Sequence, residues 1–263
     1  MTHTAHAPVF FISHGAPTFA TEPGKLGAQL QAIGRQLTGI RAVLVVSPHW
    51  QTRGVEVMTT AQPDTVHDFG GFPAELYALC YPAPGHPDLA REAAQRLTQA
   101  GFTARLQAQR GLDHGAWVPL YHLLPQAQVP VFQVSMPLDL DTRQALQMGL
   151  ALAALRTQGV VIVGSGSMTH NLYEVREPGA QPLPYVQEFT TWVRTAVATH
   201  GIAHLANYRV EAPHAQRAHP SEEHFLPLLV ALGATHDADP LRVLEGDITH
   251  GVLSMESYVW GLA

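Results

Sequence analysis

The stretch VFFISHGAP, Val9 to Pro17, opens with four apolar residues in succession and passes through Ser13 into a histidine and a glycine. A run of this length with no alternation of apolar and polar residues reads as a strand buried on both faces, as in a parallel sheet. The same signature recurs at Ala42 to Ser47, Val129 to Ser135 and Gly159 to Gly164. Helical patterns separate these runs at Lys25 to Leu37, Pro87 to Ala100 and Asp141 to Arg156. Two further helices are expected at Pro184 to His200 and Pro220 to Leu232. This alternation, without repeats or long linkers, predicts one α/β domain over residues 1–263: a mainly parallel central sheet with helices on both faces. Val55 to Thr60, Leu241 to Leu244 and Met255 to Trp260 are candidate strands that extend it.

The ends of these strands carry the chemistry. VFFISHG ends at His14, VLVVSPHW reaches His49, and VIVGSGSMTHNL reaches His170. In an open α/β sheet the ligand crevice lies outside the carboxyl ends of the strands, so residues distant in sequence converge there. One such histidine alone is an ordinary loop residue, but three together point to a common centre. A fourth comes from RAHPSEEHFLPLLVAL, where Pro220 and Ser221 start the expected helix and His219, Glu222, Glu223 and His224 sit near its amino end. On a helix His219 and His224 point apart, so one of them reaches that centre.

Composition narrows the partners. The chain is 46% apolar and 14% charged with a net charge of -6, and its Lys and Arg are scattered singly. It therefore offers no basic stripe for nucleic acid or an anionic membrane. Neither a signal-peptide pattern in MTHTAHAPVFFI nor an apolar run of membrane-spanning length is present, and a cytoplasmic setting is expected. A single cysteine, Cys80, excludes an internal disulfide and a zinc site built on several thiolates. Sixteen histidines, against 15 Lys and Arg together, leave imidazole as the conspicuous functional group. Imidazoles without thiolates suit zinc, iron, copper or nickel.

Six ordered motifs carry a resemblance. SHGAP (13–17), SPHW (47–50), DFGGFP (68–73), GLDHGAW (111–117), GSGSMTHNL (164–172) and HPSEEHFLPL (219–228) together resemble the class III extradiol ring-cleavage dioxygenases. They are most similar to the DOPA 4,5-dioxygenase branch and more distantly to the β subunit of protocatechuate 4,5-dioxygenase. The resemblance implies metal ligands at His14, His49 and His224, with His170 an additional ligand or the catalytic acid and base. It also implies that His114 contacts substrate or oxygen as the catalytic partner of His170. Related enzymes use a glutamate as third ligand. Of the adjacent Glu223 and His224, one should bind metal and the other support it, and the DOPA branch favours His224.

The implied function is Fe(II)-dependent opening of a catecholic ring by O2, with Zn(II) able to occupy the same site. Three protein ligands leave three positions for the two phenolic oxygens and O2. DFGGFP reads either as a surface turn or as a loop closing over the substrate ring, the second bringing Phe69 and Phe72 to it. Trp117 reads as core packing or as a stacking surface for substrate. Two other classes compete: a zinc hydrolase in which Glu222 or Glu223 activates water, and a non-catalytic metal-binding protein of the same fold. The presence of both His114 and His170 weighs against the latter.

Overall fold

Val9–Ser13 forms strand β1, buried along its whole length. The computed structural model describes residues 6–262. Residues 1–5 and 263 of the expected domain lie outside the described residues, and with them the first part of MTHTAHAPVFFI. The other strands are β2 (Ala42–Thr52), β3 (Val55–Met58), β4 (Ala104–Gln107), β5 (Val131–Pro137), β6 (Val160–Gly166), β7 (Leu241–Leu244), β8 (Ile248–Thr249), β9 (Leu253–Ser254) and β10 (Ser257–Trp260). Eight form one sheet in the order β4-β3-β5-β2-β6-β1-β10-β7, and β8 pairs with β9 separately.

The four central strands, β5-β2-β6-β1, run parallel, as their unbroken apolar composition predicts. Antiparallel pairings join β3 to β5, β10 to β1 and β7 to β10. Val43 to Val46 and Val160 to Val163 are fully buried. Each such side chain stabilises the fold by about 1.5–3 kcal/mol relative to an exposed one.

Helices cover both faces of β6, and its own alternation decides which approaches where. The Ser165 side chain meets the helix His114–Leu123. Gly164 and Gly166 face the other way, towards Pro227 and His224 at the start of the helix Leu226–Gly233. A Cβ would stand 2.0 Å from Pro227 O at Gly164 and 2.3 Å from His224 O at Gly166. Only glycine permits this close approach of helix and strand.

Several elements differ from the sequence expectation. The helix expected from Pro220 begins at Leu226, because Pro227 fits only the first turn and residues 220–225 form turns instead. His224 therefore precedes the helix. Strand β2 continues past Ser47 to Thr52, with its register broken between Val46 and Gln51 around Pro48, which has no N–H to give the ladder. The helix after Asp141 ends at Leu152 and tightens into a 3-10 turn, Ala153–Gln158. The helix His114–Leu123 had no periodic signal, since nine of its residues are buried. Among the described residues, no helix is long and apolar enough to cross a membrane.

Candidate metal centre and active site

Strands β1 and β2 flank β6, and the three bring His14, His49 and His170 to the carboxyl edge of the sheet, where the starts of two helices add His114 and His224. His14 follows β1 directly, and its N–H is bonded to Gly166 O at 2.9 Å. Its Nδ1 lies 3.0 Å from Ser165 Oγ, while the Ser165 hydroxyl donates to Gly115 O. A hydroxyl has one proton, so Ser165 must accept from His14 Nδ1–H. The acceptor nitrogen of His14 is then Nε2.

His49 projects from the irregular part of β2. Arg110 holds this segment by donating to His49 O at 3.2 Å, and Arg110 in turn pairs with Asp113 at 2.9 Å. His49 Nδ1 lies 3.7 Å from Asp68 Oδ2. Its Nε2 is 3.1 Å from His14 Nε2. His224 is tied to β6 through its carbonyl, which accepts Ser167 N–H at 2.9 Å. Its Nδ1 donates to Glu223 Oε1 at 3.1 Å, and its Nε2 is buried without a hydrogen-bond partner. The two side chains, expected to diverge on a helix, instead touch, because both residues precede the helix that begins at Leu226.

One ligand nitrogen from each of His14, His49 and His224 falls within a common span of 4.8 Å. Burial, then the neighbouring imidazoles, holds His14 and His224 well below the usual histidine range. Burial followed by the charge of His114 lowers His49 to about 4, against the opposing pull of Asp113 and Asp68. Neutral imidazoles with an orphaned buried Nε2 and two further Nε2 atoms in close approach are the donor set of a divalent transition metal. The residues fit such an ion.

His170 stands apart from that set. Its ring stacks on His224 with centroids 3.5 Å apart and planes 9° from parallel, and its ligand atom groups with Glu223 and His224. Burial lowers its pKa, with Glu223 opposing and His114 assisting. His114, at the amino end of its helix, is 6% exposed, and its ring centroid lies 3.9 Å from that of His49. Asp113 caps this helix, accepting from Ala116 N–H at 3.2 Å. Gly115 brings the helix close to the site, since a Cβ there would meet Ser47 Oγ at 2.3 Å and His49 Cδ2 at 2.9 Å.

Phe69 and Phe72 are partly exposed and pack edge to face at 5.5 Å, with Phe69 also 5.7 Å from His114. Trp117 requires a correction: it is fully buried and donates its indole N–H to Val66 O at 3.0 Å, so it braces the loop behind Phe69 and has no face for substrate. His219 is likewise buried, bonded to Met168 O at 2.9 Å and surrounded by Phe189 and Phe225. Two site residues were outside the expectations. Asp68 receives the His114 main-chain N–H at 2.8 Å and lies 3.0 Å from His114 Nδ1. Burial would raise this carboxyl, but the bonds from His114 outweigh it and hold it at about 2. A carboxylate opening a glycine-rich loop was its only signal. Ser165, inside an apolar strand, carried none.

Imidazole nitrogens of His14, His49 and His224 gathered at an α/β sheet edge, flanked by two further histidines, suit a divalent transition metal. Residues 1–258 match the family described as the catalytic LigB subunit of aromatic ring-opening dioxygenase, and the chain belongs to that family. A 4,5-DOPA dioxygenase extradiol of Beta vulgaris is 38% identical over 95% of this chain and 94% of that relative. The 4,5-DOPA dioxygenase extradiol of Escherichia coli K12 is 37% identical over 95% and 93%. A crystal structure of an uncharacterized Escherichia coli K12 protein superposes with a TM-score of 0.81 at 31% identity, covering 96% of this chain and 99% of that one. The protein is an extradiol aromatic ring-opening dioxygenase, an enzyme with a catalytic metal, an aromatic substrate and O2. The hydrolase and binding-only alternatives give way to this class.

Proposed function

We propose that the protein opens a catechol ring beside the diol, with Fe(II) held by Nε2 of His14, His49 and His224. The observation that carries this reading is the buried, partnerless His224 Nε2 beside the close His14 and His49 nitrogens. When bound, the ferrous ion supplies the open positions and the redox chemistry that join catechol and O2. Zinc, favoured over ferrous iron at nitrogen-rich sites, competes for the same three ligands without redox activity.

His170, neutral because burial lowers its pKa, is suited to take a phenolic proton and later return one. Its stacking on His224, outside the three-histidine set, supports proton transfer rather than ligation. His114 is its partner. Phe69 and Phe72 offer an apolar wall to the substrate ring, and their loop closes that side against water. A cytoplasmic setting, expected from the sequence, suits an enzyme that must acquire ferrous iron.

Anaerobic loading with Fe(II), followed by a catechol panel headed by DOPA in an oxygen electrode, tests the proposal. Oxygen uptake with a yellow ring-opened semialdehyde is expected, and none from the zinc form. Fully iron-loaded protein inert towards every catechol would overturn it.

A further inference from the structure

Asp68 lies outside the proposed ligand set, yet its carboxylate reaches two site histidines. Oδ1 accepts the His114 main-chain N–H at 2.8 Å. Oδ2 lies 3.0 Å from His114 Nδ1 and 3.7 Å from His49 Nδ1. An ionised carboxylate only accepts hydrogen bonds, so the His114 Nδ1 that faces it carries a proton. With Nδ1 protonated, the neutral form of the ring has Nε2, at its far side, as a bare acceptor. The main-chain bond matters as much as the ring contact. It ties the carboxylate to the first residue of the helix His114–Leu123, whose start Asp113 already fixes, so Asp68 cannot turn away without giving up a second bond.

We infer that Asp68 is a positioning residue that holds His114 in the Nδ1–H tautomer and so gives the site a second proton acceptor at His114 Nε2. The His114 side chain is 8% exposed and that of Asp68 22%, so the contact is shielded chiefly on the histidine side. A loop anchor alone would need only the main-chain bond. The additional contact of Oδ2 with the ring is what points to control of the tautomer. The inference rests on the ring-opening reading for its catalytic consequence, while the tautomer itself does not depend on that reading.

The test is Asp68→Asn. Asparagine keeps the shape and can accept the main-chain N–H through its oxygen. Its amide nitrogen then donates towards His114 Nδ1, which must give up its proton to Nε2. Long-range proton–nitrogen correlation spectra of the zinc-loaded protein read the tautomer directly. Nδ1–H is expected for His114 in the parent and Nε2–H in Asp68→Asn. In iron-loaded protein kcat should fall by about 10²–10⁴-fold with KM little changed, and Asp68→Glu should recover part of it. Nε2–H in the parent would overturn the inference by itself, as would a variant that keeps Nδ1–H or loses no kcat. If iron-loaded parent opens no catechol, the proposed function falls, and the two spectra still decide the tautomer.

Discussion

Ser165 Oγ stands 3.0 Å from His14 Nδ1 while its own proton is directed to Gly115 O, so a residue inside β6 fixes which nitrogen of His14 faces the proposed metal centre. Outer partners of this kind typically contribute 10–100-fold to metal affinity. Ser165→Ala should weaken zinc binding by about that factor with the fold intact. Competition titration against a chelator measures it, and unchanged affinity would show that His14 needs no such partner.

Removal of a ligand is a larger change. His14→Ala, His49→Ala and His224→Ala should each lose most of the bound metal after dialysis, as read by elemental analysis. Glu223→Gln, which leaves the His224 imidazole in place, should weaken binding by about 10–100-fold. Stoichiometric metal in His14→Ala and His49→Ala would dismiss the site.

His170 separates proton transfer from ligation. His170→Ala should retain metal while turnover falls by about 10²–10⁴-fold. Parallel loss of metal and activity would make it a ligand, and full turnover would move the role elsewhere.

Gly115→Ala forces a methyl to within 2.3 Å of Ser47 Oγ and 2.9 Å of His49 Cδ2. Overpacking of this kind costs about 1–3 kcal/mol. A lower midpoint in urea and a weakened metal site should appear together, because the same methyl pushes on His49. Parental stability and affinity would mean that the helix His114–Leu123 can shift freely.

His219 gives the metal-free protein an acid limb. Burial lowers its pKa to about 3, only partly offset by the bond to Met168 O. The unfolded chain protonates this residue near pH 6.5, so it binds more protons than the folded state between those values. Stability therefore falls as pH drops from about 6.5 towards 3, by up to about 1.4 kcal/mol per pH unit for this one group. Buried His14, His49 and His224 add to the same limb. Denaturation of metal-free protein at pH 7 and pH 5 should show a loss smaller by about 1–2 kcal/mol in His219→Gln. Equal losses would mean that His219 is already protonated in the fold.

Much of the fold was legible because parallel strands are read from unbroken apolar runs, and β1, β5 and β6 are buried throughout. The helix His114–Leu123 was not, since burial on all sides removes the periodic contrast on which such a reading depends. The helix start at Leu226 was missed for a different reason. Pro220 and Pro227 both suit a first turn, and local preference cannot choose between them.

The amino-acid sequence by itself determined that His14, His49 and His170 follow apolar runs and that His224 adjoins Glu223. The period of the chain and its strand lengths bring such residues to one edge of a sheet. Which nitrogen each ring offers was decided only by the tertiary structure. The tautomer depends on partners such as Ser165, 151 residues from His14, and Asp68, 46 residues before His114. Hydrogen bonds across such separations leave no periodic trace, because a serine in an apolar strand or an aspartate in a loop acquires its role only when packing supplies the ring it must hold.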